Sequence, residues 1–227
     1  MKIVIVGGVA GGATAAARIR RLDEQAEIVV FERSGFVSYA NCGLPYYIGG
    51  MIEDPEDLTL QTPESFFSRF RVHMKVHHEV TPIHPDQKTL TVKNLETGAV
   101  FEESYDKLLL SPGAKPVIPD LPGIDSSKLF TLRTVEDTFR IKEFVDQNKP
   151  KSAVIVGGGF IGLEMAENLR HLGMEVTIVQ RPKQLMNPFD SDMASFIHSE
   201  VRKHGVKLML VILWRALRSK TAVSRCC

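Results

Sequence analysis

The sequence predicts an α/β fold built from two similar βαβ units. A run of β-branched apolar residues leads into a glycine-rich turn and a helix near the start of the chain, and the same order recurs in residues 153–179. The two turns, Gly7–Gly12 and Gly157–Gly162, lie 150 residues apart, whereas solenoid repeats are far shorter. A segment with four prolines, Ser111–Gly123, separates the units and marks a candidate domain boundary. Two such units predict two nucleotide-binding domains.

The first unit is expected to open with a strand, a helix and a strand, at Ile3–Val6, Ala13–Leu22 and Glu27–Phe31. A loop rich in Gly, Ser, Asn and Pro follows, and Thr62 is then placed to cap a helix over Pro63–Phe70. Weak alternation predicts short antiparallel strands, and a buried strand ends the unit; these are Val72–Val80, Thr89–Asn94, Ala99–Glu103 and Tyr105–Leu110.

The second unit is expected to repeat this opening. A strand and a helix flank its turn, at Ala153–Val156 and Leu163–Leu172, and Gly173 is the helix stop. The next strand is predicted at Glu175–Val179, and a further one after residues 204–205.

Composition excludes several classes of protein. Hydrophobic residues make up 44% and charged residues 24% of the 227 residues, which is typical of a globular chain and not of a disordered or collagen-like one. The net charge of +1 gives no reason to expect nucleic acid or an anionic membrane as a partner. Three cysteines form no disulfide framework, and no apolar run approaches the ~20 residues of a membrane helix. We expect a cytoplasmic protein.

The turn of the second unit carries the stronger motif. Gly157, Gly159 and Gly162 satisfy G-x-G-x-x-G between a strand and a helix, where they would allow the tight turn, the approach of pyrophosphate and close helix–strand packing. The acid that holds the ribose of NAD is absent, because Gln180 and then Arg181 occupy its place. Arg181 is therefore either a partner for the 2′-phosphate of NADPH or an ordinary solvated residue.

The turn of the first unit is imperfect, because Val9 replaces the middle glycine and Gly8 and Gly11 compensate only in part. Glu32 ends the second strand, where it would hold a ribose hydroxyl, or it is simply a surface acid. Cys42, in a loop after this unit, is either a redox thiolate that exchanges with a disulfide or a buried structural cysteine.

Together these motifs resemble the single-cysteine branch of the pyridine nucleotide–disulfide oxidoreductases, over residues 1 to about 207. The string S-Y-A-N-C-G-L-P-Y-Y around Cys42 is distinctive, and the motifs occur in the family's order. The stretches that carry the resemblance are Gly7–Gly12, Glu32-Arg33, Ser38–Pro45, Leu109–Pro116 and Gly157–Gly162.

The resemblance implies two Rossmann-like FAD/NAD(P)-binding domains of the three-layer ββα type, with the second inserted in the first and the C-terminal part missing. The implied boundaries are an incomplete FAD-binding domain over 1–115, an incomplete NAD(P)H-binding domain over 116–207 and an aberrant, possibly frameshifted tail over 208–227. The implied FAD contacts are Gly7, Gly8, Ala10, Gly11, Gly12, Glu32, Arg33, Ser111, Pro112 and Gly113. The implied NAD(P)H contacts are Gly157, Gly159, Phe160, Ile161, Gly162, Gln180 and Arg181.

The resemblance also implies a reaction. Hydride from NAD(P)H reduces FAD, which in turn reduces a mixed disulfide of Cys42 with a small-molecule substrate, coenzyme A disulfide or a polysulfide. Thr14, Arg18 and Arg21 would reach the coenzyme A phosphates, although Arg18 and Arg21 also fit a solvated basic helix face. Ser38 and Asn41 would flank the substrate thiol.

Three further expectations follow from the resemblance. Ala10 stands where oxidase and peroxidase members carry a histidine, which favours disulfide reduction over an NADH oxidase. Full-length relatives are expected to be homodimers through a domain that follows the part seen here. Without that domain, a catalytically inactive nucleotide-binding fragment is the alternative.

Four histidines between residues 73 and 84 suggest a metal site, but no Cys or acid at ligand spacing completes one, so no metal is expected.

Overall fold

The computed structural model describes residues 1–212, which divide into two compact units. Unit 1 comprises residues 1–41, 54–115 and 134–136, and unit 2 comprises residues 42–53, 116–133 and those from 137 onward. The helices are α1 (Ala10–Leu22), α2 (Leu44–Ile48), α3 (Pro63–Phe70), α4 (Val135–Asn148), α5 (Phe160–His171) and α6 (Ser191–Lys203). The strands are β1 (Lys2–Val6), β2 (Glu27–Phe31), β3 (His73–Lys75), β4 (His78–His84), β5 (Thr89–Asn94), β6 (Val100–Ser104), β7 (Lys107–Leu110), β8 (Ser152–Val156), β9 (Glu175–Gln180) and β10 (Lys207–Leu210).

Unit 1 has three layers around a parallel sheet in the order β3-β2-β1-β7. Successive side chains of a strand point to opposite faces, so Ile5 and Val30 pack with α1 and α3. Val4 and Phe31 face the other way and pack on the antiparallel sheet β4-β5-β6. The α/β class and the helix–sheet–sheet layering are therefore confirmed.

Unit 2 contains the parallel sheet β10-β9-β8. Ile178 of this sheet packs with Met165 and Leu169 of α5 and with Ile141 of α4 in one buried cluster. This repeats the strand–turn–helix–strand opening of unit 1, as the sequence predicts.

Two predicted local features need correction. The segment 72–80 is not one strand, because His77 adopts a left-handed conformation (φ 55°) that turns the chain between β3 and β4. As a result β3 pairs parallel with β2, and only β4 joins the antiparallel sheet. The helices α1 and α5 also begin earlier than predicted, because the last glycines of each turn already belong to the helix.

The start of α3 is confirmed. Thr62 Oγ1 accepts a hydrogen bond from the Ser65 N–H at 3.2 Å, and Ser65 Oγ accepts one from the Thr62 N–H at 2.8 Å. Both reciprocal bonds satisfy donors that a helix start leaves unpaired.

Residues 42–53, which the implied boundaries place in the first domain, cluster with unit 2. The assignment of FAD and NAD(P)H to the two units stays a prediction. The implied aberrant tail lies outside the described residues from position 213 onward, and its first residues, 208–210, belong to β10.

Candidate functional site

The glycine turn of unit 1 requires glycine on steric grounds. Gly7 has a φ of 98°, and a Cβ there would lie 2.0 Å from the carbonyl oxygen of Ser111. A Cβ at Gly12 would lie 1.8 Å from the Gly7 carbonyl oxygen. The α1 helix that follows has no side-chain cap and no acid in its first turn, so its N-terminal amides suit an anionic phosphate.

A hydrogen-bonded frame holds this turn. Glu32 Oε2 accepts from the Gly8 N–H at 2.7 Å and Oε1 accepts from the Ser34 N–H at 2.8 Å. The Ser38 N–H donates to the Gly8 carbonyl at 3.0 Å, from a left-handed conformation (φ 48°). Because a carboxylate has about four lone-pair sites, Glu32 can accept further hydrogen bonds beside these two.

Three other residues predicted to contact FAD have different surroundings in unit 1. Ser111 touches the turn, since a Cβ at Gly11 would lie 2.3 Å from Ser111 Oγ. Ala10 is exposed at the first position of α1. Arg33 points to Glu79, with 3.6 Å between Nη1 and Oε1.

The glycine turn of unit 2 shares two features with that of unit 1, a positive φ at its first glycine and a close approach of its last glycine to the first. Gly157 has a φ of 104°, and a Cβ at Gly162 would lie 2.0 Å from the Gly157 carbonyl oxygen. A Cβ at Gly159 would meet nothing within 4 Å, so this glycine leaves open space in front of α5. That helix also begins without a side-chain cap or an acid in its first turn, and Phe160 and Ile161 are exposed there.

In unit 2 the side chain that bonds to the glycine turn is the amide of Gln180. Gln180 Oε1 accepts from the Gly158 N–H at 3.0 Å, and Gln180 Nε2 donates to the Gln184 carbonyl at 3.1 Å. The Met186 N–H donates to the Gly158 carbonyl at 2.8 Å, again from a left-handed conformation (φ 49°). Gln180 is thus buried and engaged with the protein's own backbone, whereas Arg181 is exposed.

The loop after β9 is tied to α6. His198 Nε2 accepts from the Leu185 N–H at 2.9 Å, and the Leu185 side chain packs over Gly158. Burial lowers the pKa of His198, and the charge of Arg202 lowers it further. The neutral imidazole that accepts this bond is therefore the favoured form.

A basic cleft lies between α1 and α3 in unit 1. A cavity of about 620 Å³ is bordered on the α1 side by Thr14, Arg18 and Arg21, with Ser38 nearby. An adjoining cavity of about 500 Å³ shares Arg21 with it. The structure thus brings four of the five predicted substrate residues together. Asn41 is not among the residues that border the larger cavity within residues 1–212.

The sequence analysis missed the α3 side of this cleft. Arg69 and Phe70 border both cavities, and Phe66 borders the larger one. The spacing 66, 69 and 70 places these side chains on one face of the predicted helix, which is the signal that could have identified them. Arg69 also lies over the Phe70 ring, 5.1 Å from its centroid.

Cys42 is exposed, in a short turn (Asn41–Gly43) directly before α2, so a buried structural role is wrong. Burial raises the pKa of Tyr46, and the charges of Glu167, Glu164 and Cys42 raise it further. The Tyr46 hydroxyl therefore keeps its proton at neutral pH.

Within residues 1–212, no three His, Cys, Asp or Glu side chains are grouped so that they could hold a metal ion. None of the helices described in that range has the length and apolar content needed to cross a bilayer.

Residues 1–222 match the family model described as pyridine nucleotide-disulphide oxidoreductase. The coenzyme A disulfide reductase of Staphylococcus haemolyticus is 45% identical over 209 residues, which is 92% of this chain and 47% of that protein.

Two solved structures are also similar. Reduced Bacillus anthracis CoADR-RHD is 52% identical with a TM-score of 0.90, over 92% of this chain and 38% of that one. The NAD-dependent persulfide reductase from A. fulgidus is 33% identical with a TM-score of 0.91, over 97% and 41%. The chain therefore spans less than half the length of these relatives.

Proposed function

Because the chain belongs to the pyridine nucleotide-disulphide oxidoreductase family, we propose that it serves the NAD(P)H-dependent reduction of coenzyme A disulfide, or of a related disulfide or polysulfide. One observation carries this choice of substrate. The cleft of unit 1 gathers Arg18, Arg21 and Arg69 beside aromatic rings, a combination that suits a nucleotide with several phosphates.

The two glycine turns are the proposed cofactor sites. FAD would be held in unit 1 by the amides at the start of α1 and by Glu32, which still has lone pairs for the ribose. NAD(P)H would be held in unit 2 by the amides at the start of α5, with the pyrophosphate passing over Gly159. When bound, FAD supplies a two-electron carrier between the nicotinamide and a sulfur centre.

Cys42 would perform the sulfur chemistry. Its thiolate attacks one sulfur of the substrate disulfide, so that a Cys42–substrate disulfide forms and the other half leaves as a thiolate. Two electrons from NAD(P)H then cleave this mixed disulfide, which releases the second thiol and restores the Cys42 thiolate. The exposure of Cys42 is consistent with an external disulfide partner.

The coenzyme choice follows from the frame of unit 2. Gln180 brings no carboxylate to repel a 2′-phosphate, and the exposed Arg181 is available to pair with one. We infer that NADPH is accepted. A cytoplasmic location and a homodimeric full-length assembly complete the proposal.

An NADH oxidase is the less favoured candidate. Ala10 lies at the start of α1 with no group that could donate a proton or a hydrogen bond from its side chain.

The decisive test is Cys42→Ser. We expect coenzyme A disulfide turnover with NADPH to fall more than about 10³-fold, because serine cannot exchange with a disulfide. The flavin content per chain, read from absorbance, should stay as in the wild type and shows that the site is intact.

Three outcomes would contradict the proposal. Full turnover by Cys42→Ser would exclude the sulfur mechanism. Rapid oxygen consumption without any disulfide would favour the oxidase. A wild-type chain that neither retains flavin nor turns over would be the inactive fragment.

A further inference from the structure

Arg20 lies in the last turn of α1 and donates four hydrogen bonds to backbone carbonyls. Its Nε donates to the Phe70 carbonyl at 2.7 Å, and Nη2 donates to the Arg71 carbonyl at 3.0 Å. Its Nη1 donates to the carbonyls of Asp23 and Glu24, at 3.2 and 2.7 Å. The first two carbonyls end α3 and the other two follow α1, so a single guanidinium joins the ends of both helices.

This arrangement is favourable on general grounds. The last carbonyls of a helix have no partner within it, and a cation near them is stabilised by the helix dipole. Arg71, which directly follows α3, adopts a left-handed conformation with a φ of 53°, a conformation that a residue with a side chain seldom takes. The bond from Arg20 helps to hold that carbonyl in place.

The joined helices are the two walls of the basic cleft. Arg21 follows Arg20 on α1, and Arg69 precedes the bonded carbonyls on α3. Both Arg21 and Arg69 border both cavities and are exposed. The half-buried Arg20 borders only the smaller cavity. It differs from its neighbours because it directs four of its N–H groups to backbone carbonyls.

We propose that Arg20 is a positioning residue, which fixes the spacing between Arg21 and Arg69 that a ligand with two separate phosphate groups requires. The inference rests on the proposed function, because it assumes that this cleft binds such a nucleotide. It adds a cause for the geometry of the cleft, namely a guanidinium that ties one wall to the other.

The probe for this test is adenosine 3′,5′-bisphosphate, with AMP as the ligand that lacks the second phosphate. Calorimetric titration of the 227-residue chain gives both affinities. In Arg20→Met we expect the affinity for the bisphosphate to fall about tenfold, with a much smaller loss for AMP. The preference for the bisphosphate over AMP therefore shrinks.

The chain offers a matched control in Arg170 of α5. Arg170 Nη1 donates to the Met174 carbonyl at 2.7 Å, and Nε donates to the His204 carbonyl at 3.2 Å. Arg170→Met therefore removes a similar connection between helix ends, but in unit 2. We expect it to change neither affinity more than about twofold, even if its urea midpoint falls as far as that of Arg20→Met.

A double mutant separates positioning from general destabilisation. Arg21→Ala removes a cation of the cleft, and if Arg20 acts through Arg21, the loss in Arg20→Met/Arg21→Ala is smaller than the product of the single losses. Independent, multiplicative losses would overturn the positioning role. A wild-type preference for the bisphosphate in folded Arg20→Met would also overturn it.

Two remaining outcomes are equally informative. If Arg20→Met does not fold, Arg20→Lys keeps the charge but not the planar fork of donors, and a wild-type preference in that variant would overturn the proposal. If the wild-type chain binds neither ligand, the cleft itself is wrongly assigned and the proposed substrate fails together with this inference.

Discussion

In unit 1 the second glycine of the turn donates its N–H to Glu32, whereas in unit 2 the equivalent glycine donates its N–H to Gln180. A second bond is common to both frames, because the carbonyl of that glycine accepts from the Ser38 N–H in one unit and from the Met186 N–H in the other. Both of these donors are left-handed residues. The comparison shows that the scaffold of the turn is retained while the residue that would meet the ribose is free to change its charge.

The largest effect on stability is expected from adding a methyl group at the last glycine of either glycine turn. A Cβ at Gly162 would lie 2.0 Å from the Gly157 carbonyl oxygen, a backbone atom that cannot move aside alone. We expect Gly162→Ala to lower the free energy of unfolding of unit 2 by about 3 kcal/mol, measured by urea denaturation. Gly12→Ala should do the same to unit 1.

The matched control is Gly159→Ala, because a Cβ there meets nothing within 4 Å. This variant should stay within about 0.5 kcal/mol of the wild type, yet bind NADPH less tightly because the methyl group occupies the proposed path of the pyrophosphate. Equal stability losses for Gly159→Ala and Gly162→Ala would contradict the steric account.

The next largest effect is expected when Gln180 of unit 2 is replaced by the acidic residue that unit 1 has at the equivalent position. In Gln180→Glu one carboxylate oxygen still accepts from the Gly158 N–H, but the other faces the Gln184 carbonyl without a donor between them. We expect a stability loss of about 2 kcal/mol. The ratio of NADPH to NADH affinity, measured by coenzyme fluorescence, should also fall about tenfold because the new charge repels the 2′-phosphate.

The reciprocal variant, Glu32→Gln, is the control for that change. The Gly8 and Ser34 N–H groups bond to different oxygens of Glu32, and in glutamine one of these oxygens becomes an NH2 group that cannot accept. Stability therefore falls by about 1 kcal/mol while the coenzyme ratio stays constant. An unchanged ratio in Gln180→Glu would mean that this residue does not face the coenzyme.

The smallest effect concerns pH. Since burial and Arg202 lower the pKa of His198 below its usual value of about 6.5, the unfolded chain binds more protons than the folded one just below that value. The contribution of His198 to stability is therefore complete above about pH 6.5 and is lost as the pH falls towards the lowered pKa.

Urea midpoints between pH 5 and 7.5 measure this dependence. We expect His198→Gln, whose amide oxygen also accepts a hydrogen bond, to show a flatter pH profile than the wild type. A profile identical to that of the wild type would show that another group titrates in this range.

Much of this fold can be predicted from the sequence, because the glycine turns and the apolar runs beside them are strong local signals. The positive φ of Gly157 and the close approach of Gly162 to its carbonyl oxygen both require glycine, while their contact with a coenzyme stays a prediction. The two left-handed residues of the frames could not be predicted, because neither serine nor methionine favours φ > 0 and only the surrounding bonds hold them there.

The basic cleft is likewise predictable from the sequence only in part. Thr14, Arg18 and Arg21 share one helix, and the family resemblance implies all three. Arg69 comes from α3, 48 residues after Arg21, and the proximity of the two helices depends on tertiary contacts such as the Arg20 bonds. A single sequence carries no direct record of such contacts.

The amide protons of Gly8 and Gly158 belong to loops, where exchange with solvent is ordinarily rapid. Each of them is instead bonded to a side chain that ends the neighbouring strand, so in deuterated water we expect both to persist as if they belonged to the sheet. The turns are then ordered before a nucleotide arrives, and little of its binding free energy is lost to the ordering of the loop.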